Sequence, residues 1–246
     1  MKVERINEDG TAHGDLHARA ARHAALAEPL RIRITDLLTL SDLSSTELRT
    51  EIGIRSNLLA HHLNVLEGAG MVTRRRSDGD RRRCYSTLTL EARNTAVLSL
   101  AQARSAHGNG PRRVVFICTG NSARSPFAAA RWNAELQEEL GVRAVSAGTF
   151  PASAPSTQSV EAAATFGVDL SAHRPRPVGE LEAHDLLVIV CDRAYEELST
   201  RFPLPTPRPR HWSVPDPGPS GSAAAYESCF GDIDLRVKDL GSTVKF

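Results

Sequence analysis

At 246 residues, with 41% hydrophobic and 24% charged residues, the chain exceeds one ordinary domain and has the make-up of a folded soluble protein. No apolar run approaches the roughly 18 residues of a membrane span, and the opening MKVERINEDGTAHGD lacks the apolar core of a signal peptide, so a cytoplasmic protein with no membrane contact is expected. A net charge of +1 decides little, and the scattered Cys84, Cys118, Cys191 and Cys229 form neither a disulfide framework nor close metal-ligand pairs, so reduced thiols and no bound metal are expected.

Residues 1–14 read as a flexible start. From Asp15 to Leu40 apolar residues recur at helical spacing, with Pro29 suited to the first turn of a second helix. A short third helix follows, capped by Ser44 or Ser45, with Glu47 in its first turn and Gly53 ending it. In RSNLLAHHLNVLEGAG, Leu59, Leu63 and Leu66 share one face of a fourth helix that ends at Gly68 and Gly70. Two extended segments then flank Asp78-Gly79-Asp80, a hairpin turn, and a fifth helix runs from about Leu90 to Ala106 before a linker at 107–112.

That order, in a domain spanning 15–106, is that of a winged helix-turn-helix, mainly α, whose fourth helix can enter a major groove while the hairpin reaches the neighbouring backbone. With the leucines buried, Ser56, Asn57, Ala60, His61 and Asn64 face outward, and with Arg55 they are the candidate contacts to double-stranded DNA. Six of the sixteen basic residues before Gly110 lie in the wing, where Arg74, Arg75, Arg76, Arg81, Arg82 and Arg83 can hold phosphates. The plainer reading is a solvated basic hairpin beside generic amphipathic helices.

Residues 15–105 resemble the ArsR-type repressor family through LAEPLRIRITDLL, STELRTEIGIRSNLLAHHLNVLEGAGMVTRRR and the wing, HHLNVLEGAGMV being the most specific part. The resemblance implies an operator-binding homodimer with the first and fifth helices at its interface. The cysteine cluster that metal- or arsenite-sensing members carry near the third helix is missing, since the first cysteine is Cys84. The adjacent His61 and His62 point about 100° apart on a helix, a poor chelating pair. His62 reads as a packing residue and Cys84 as structural.

Beyond the linker, residues 113–246 alternate strand and helix: RRVVFIC, a helix through PFAAARWNAELQEEL, RAVSAGT, a helix around TQSVEAAATFG, DLLVIVC, a helix from Asp192, and HWSVPDP. Such alternation predicts an α/β domain with a parallel sheet flanked by helices. In CTGNSARS, a strand ends at Cys118, five loop residues follow (Thr119, Gly120, Asn121, Ser122, Ala123), and a helix begins near Ser125. Loop N–H groups and the helix dipole would surround one point, a field that favours the thiolate, the attacking species. Arg124 supplies a planar fork for a tetrahedral oxyanion, Ser125 a hydrogen bond to the thiolate, and Gly120 the freedom for a tight loop. The alternative is a buried structural cysteine.

These residues, with SAGT at 146–149, GVDLSAHRPRPV at 167–178, DLLVIVC and HWSVPDPG, resemble the low-molecular-weight protein-tyrosine-phosphatase family and the arsenate reductases of the same fold. The resemblance implies Cys118 as nucleophile, Arg124 as oxyanion ligand and Asp216 as general acid, acting on phosphate or arsenate without a cofactor. Gly218, Pro219 and Ser220 stand where phosphatases place aromatic residues after Asp-Pro, and Cys191 stands where thioredoxin-linked reductases keep a second redox cysteine. Their third cysteine is replaced by Leu198, so an external thiol or a thioredoxin-type reductant would close the cycle. Cys229 is expected to pack in a final helix. Three functions remain open: a DNA-binding regulator fused to an arsenate reductase, toward which the missing aromatic grip leans; the same regulator fused to a phosphatase for phosphotyrosine or small esters; and a regulator whose second domain only senses an oxyanion.

Overall fold

The computed structural model describes residues 9–93, 111–201 and 208–243. Each early helix carries its own start or stop signal. Helix α1 (Asp9–Ala25) begins six residues before the expected Asp15, in a stretch with no proline to halt it. Helix α2 (Pro29–Leu40) starts on Pro29, with the Glu28 side chain accepting the Arg31 N–H. A two-residue strand β1 (Leu43–Ser44) leads into α3 (Ser45–Ile52), where Ser44 and Glu47 form a reciprocal capping box and Gly53 closes the helix. Helix α4 (Ser56–Gly68) buries Leu59, Leu63 and Leu66 against Ile34, Leu38 and Leu48. Each such side chain contributes about 1.5–3 kcal/mol by leaving water. His62 is buried with them, as a packing residue would be.

Strands β2 (Val72–Arg76) and β3 (Cys84–Leu88) pair antiparallel, and β1 adds to β3, giving the order β1-β3-β2. The connection between β2 and β3 spans residues 77–83, wider than the turn expected at Asp78-Gly79-Asp80. It is closed by the Ser77 N–H on the Arg83 carbonyl and the Arg83 N–H on the Asp80 carbonyl. The extra width lets its polar groups bond to the second domain. Residues 90–93 are helical; the rest of the expected fifth helix lies outside the described residues, as does most of the expected linker.

The second domain holds a four-stranded parallel sheet of order β5-β4-β6-β7, from β4 (Arg113–Cys118), β5 (Arg143–Gly148), β6 (Asp185–Ile189) and β7 (Arg210–His211). Val114 to Cys118 are buried in succession, because a central parallel strand is covered on both faces. Helix α5 (Arg124–Glu135) follows β4. The single helix expected through Leu140 is broken at Leu136, after which α6 (Gln137–Leu140) is a separate turn. Helices α7 (Thr157–Thr165), α8 (Asp192–Arg201) and α9 (Ala223–Thr243) complete the layers; α9 packs on α5 and α7, and α8 on β4 and β6. Of HWSVPDP only His211 is strand; the remainder is loop.

The two domains share buried polar groups. Asp42, wholly buried, accepts bonds from Arg236 of α9 (2.8 Å) and from the Ser213 N–H (2.7 Å), and its own N–H binds the His211 carbonyl. Tyr85 of β3 packs in the core of the second domain, edge-on to His211, and donates to Glu196 of α8. Tyr195 stacks on His211 at 4.2 Å and donates to Glu47, the capping residue of α3.

Candidate active site and nucleic-acid interface

The chain leaves β4 toward β5 on one side of the sheet and later returns to β6 on the other. Cys118 thus ends the strand at which the strand order switches direction, where open parallel sheets leave a crevice. Its Sγ lies 3.1 Å from Ser125 Oγ and accepts the Asn121 N–H at 3.2 Å. Ser125 Oγ receives a bond from Asn121 Nδ2 (2.9 Å), so its single proton faces two acceptors, Cys118 Sγ and the Ala147 carbonyl at 3.2 Å. A thiolate at Cys118 would draw that proton to itself. Helix α5 begins behind Ala123, which makes no side-chain cap, and the start of a helix favours negative charge.

The tight backbone of the loop falls on Asn121, with φ of 48°, and not on Gly120 as expected. Asparagine tolerates the left-handed region because its side chain can bond locally. Here Nδ2 also reaches Ser146 Oγ, Oδ1 accepts the Arg176 N–H, and the carbonyl bonds His173 Nε2, so the SAGT and HRPRP stretches act as braces for the loop. A Cβ on Gly148 would come within 2.6 Å of the Thr119 carbonyl, so only glycine lets β5 approach the loop this closely.

Arg124 is buried. Its Nη1 donates to the Val214 carbonyl (3.1 Å) and its Nη2 pairs with Asp216 Oδ2 (3.2 Å). Burial alone would weaken the guanidinium's hold on its proton, but Cys191, Cys118 and Asp216 reverse that effect and raise it above its ordinary value. Cys191 is equally buried, 3.5 Å from Thr119 Oγ1, and burial pushes its thiol up against the pull of Arg124. Cys229 packs in α9 with its thiol pushed up to about 12, again by burial.

Cys118, residues 119–120 and 122–124, Cys191 and Asp216 line one open cleft of roughly 740 Å³, large enough for more than a bare oxyanion. Sequence reasoning did not foresee Tyr226 of α9 in its wall, held by Ser156 at 3.1 Å, nor Arg193 of α8, nor Asp78 and Arg81 of the wing. For Asp78 and Arg81 no local signal exists, because residues from another domain are brought there by tertiary contact. Among the described residues no group of three His, Cys, Asp or Glu side chains could hold a metal ion.

On the first domain, Arg55, Ser56, Asn57, Ala60, His61 and Asn64 form one exposed face at the start of α4 and along it. The six wing arginines do not form a matching face. Arg74 is drawn back to Asn64 and Glu67, Arg82 and Arg83 pair with Asp80, and Arg76 and Arg81 are exposed. Arg75 departs furthest from the expectation of a phosphate contact. It points into the second domain, where Ser213 and Asp192 hold it. Cys84, expected to be structural, is exposed.

A parallel sheet whose central strand ends in C-x5-R and runs directly into a helix, preceded by a winged helix, defines a two-part protein: a DNA-binding type of module ahead of a cysteine-phosphatase type of α/β domain. The chain belongs to the low molecular weight phosphotyrosine protein phosphatase family, whose model matches residues 113–245, and a helix-turn-helix domain model matches residues 26–75. Similar proteins include an arsenate reductase 2 of Staphylococcus saprophyticus, 32% identical over 132 residues, covering 52% of this chain and 95% of the relative. Another is an arsenate reductase 2 of Staphylococcus epidermidis, 30% identical over 108 residues and covering 43% and 79%. Among solved structures, a low molecular weight protein tyrosine phosphatase from T. tengcongensis is 27% identical with a TM-score of 0.46, covering 52% of this chain and 96% of its own. An arsenate reductase from Archaeoglobus fulgidus is 30% identical with a TM-score of 0.43, covering 52% and 98%.

Proposed function

We propose that this protein is a DNA-binding regulator whose second domain reduces arsenate through Cys118. One observation carries the reading: Cys118, Arg124, Asp216 and a second thiol, Cys191, line a single cleft. In the first step Cys118 Sγ bonds to arsenic(V) while an oxygen leaves as water, Asp216 giving the proton and Arg124 and the loop N–H groups holding the remaining oxygens. A second thiolate then attacks Cys118 Sγ. The sulfur–arsenic bond breaks with its electron pair on arsenic, so arsenite leaves and two thiols become a disulfide. Cys191, in the same cleft, would be that second thiol once it loses its proton; an external thiol is the other candidate, and an external thiol or thioredoxin-type dithiol restores the enzyme. No cofactor enters this cycle.

The open cleft favours a second reading, hydrolysis of phosphate esters through a Cys118 phosphoenzyme. Asp216 would protonate the leaving oxygen and then activate water. The winged helix would bind a duplex operator as a homodimer with the exposed face of α4.

The test compares wild type with Cys118→Ser on para-nitrophenyl phosphate alone and on arsenate with thiol reductants. Arsenite formed by wild type alone, beside slow ester hydrolysis, supports the reductase. Fast Cys118-dependent ester hydrolysis without arsenite supports the phosphatase. Neither activity, with oxyanion binding retained, identifies a sensor and overturns both enzyme readings.

A further inference from the structure

Within the second domain Arg124 holds the Val214 carbonyl and the Asp216 carboxylate, but the backbone N–H groups of the segment that carries Asp216 are held differently. Between Ser213 and Gly218, Pro215 and Pro217 lack N–H groups, which leaves four donors. Val214 bonds the Trp212 carbonyl and Gly218 bonds Asp216 Oδ1, both within the segment or beside it. The other two cross to the first domain: Ser213 N–H to Asp42 Oδ2 at 2.7 Å, and Asp216 N–H to Asp78 Oδ2 at 3.0 Å. Asp78 is held in turn by Arg75, whose Nη1 reaches Asp78 Oδ1 at 3.0 Å while Nη2 reaches the Ser213 carbonyl at 2.7 Å, Ser213 Oγ at 2.8 Å and Asp192 Oδ2 at 3.2 Å. The wing tip is seated closely. Glu196 accepts from Ser77 Oγ (2.8 Å) and the Asp80 N–H (2.6 Å), and a Cβ on Gly79 would lie 3.1 Å from Arg193 Cα.

We propose that the wing is a working part of the active site: Asp78, fixed by Arg75, is the positioning residue that holds the backbone of Asp216 so that its carboxyl faces the cleft above Cys118. The proposal rests on the roles given above to Cys118 and Asp216. Its chemical basis is that proton transfer to a leaving oxygen requires the acid within hydrogen-bond reach, and a loop short of internal donors does not keep it there alone. The winged helix therefore does more than carry the second domain, because it completes the acid loop.

The experiment uses the full chain and two esters, phenyl phosphate, whose leaving group needs a proton, and 2,4-dinitrophenyl phosphate, whose leaving group does not. Asp78→Ala is expected to lower kcat/KM, which reports only the steps through expulsion of the leaving group, on phenyl phosphate about 10- to 100-fold, part of what a general acid contributes, and on the dinitrophenyl ester no more than about 3-fold. Asp78→Asn keeps one oxygen for the Asp216 N–H but turns an amide NH2 toward Arg75, so its loss on phenyl phosphate should be smaller than that of Asp78→Ala and its effect on the dinitrophenyl ester no more than about 3-fold. An equal loss on both esters, or no loss, overturns the proposal, since a merely structural contact does not discriminate between leaving groups. Asp216→Asn separates the two failures. If it shows no leaving-group dependence either, the role of Asp216 falls and this proposal with it; if it does and Asp78→Ala does not, only the proposal falls. Wild-type protein inert toward both esters and toward arsenate overturns both.

Discussion

The face of α4 and the wing carry the same kind of promise in the sequence, exposed polar groups and arginines, yet the fold treats them differently. Arg55, Ser56, Asn57 and His61 stand open to solvent, whereas the tip of the wing is bonded to Asp192, Glu196, Ser213 and Asp216. A winged helix that grips DNA uses both parts together. In this conformation one is free and the other is engaged with the second domain, so charge in a motif is no measure of charge available to a partner.

Removing the engagement should have the largest effect. Asp42→Ala leaves Arg236 buried with Asp232 as its remaining ion pair among the described residues and strips the Ser213 N–H, and should destabilise the protein by about 3–5 kcal/mol in denaturant unfolding. Acid should do the same gradually. Although burial opposes it, Arg236 beside Asp42 and His211 beside Asp192 hold both carboxyls below their ordinary 3.8. The stability they contribute is complete above the unfolded value near 3.8 and is lost as pH falls through the lower folded values, so the thermal midpoint should drop below about pH 4.

At the other end of the same wiring, Arg124→Lys should keep a charge but lose the fork that spans Val214 and Asp216, lowering kcat/KM about 100- to 1000-fold in a turnover assay. Occupying the wing is a milder perturbation. Duplex DNA added at low salt should lower kcat/KM for phenyl phosphate several-fold and spare that for the dinitrophenyl ester, and unchanged values at saturating DNA would mean that the wing stays docked when DNA is bound. The smallest effect separates neighbouring arginines. Arg82→Ala, whose side chain is 90% exposed, should reduce the salt slope of DNA binding by about 1 in anisotropy titrations, and Arg75→Ala should match it where DNA draws the wing away from the second domain and leave the slope nearly unchanged where the wing stays docked.

What the sequence makes legible is local. Ser44 with Glu47, the leucine stripe of α4 and the eight residues from Cys118 to Ser125 each place their physics within one or two turns of chain, and Cys118 Sγ lies 3.1 Å from Ser125 Oγ. Asp216 beside Arg124 came from resemblance, since nothing local brings residues 92 apart together. The illegible part is the tertiary choice between equals. Arg75 and Arg82 are the same residue type in one hairpin, each with an aspartate close by in sequence, and Ser213 and Asp192, more than a hundred residues away, draw Arg75 inward while Arg82 faces solvent. Gly120 looked like the turn residue because glycine needs no help, while Asn121 takes the strained position because four surrounding groups hold its side chain and carbonyl.

The buried carboxylate of Asp42 limits how the chain can be cut and reused. A fusion is often handled as interchangeable parts, with a reader that can be exchanged and a catalyst that can be excised. Here, excising the second domain would leave Arg236, the Ser213 N–H and the carbonyl of His211 without the partners that Asp42 supplies, and grafting a different reader would have to rebuild those same bonds. For protein engineering, the seam between the domains is therefore part of the specification of both modules, and a transplant must carry Asp42 and its geometry along.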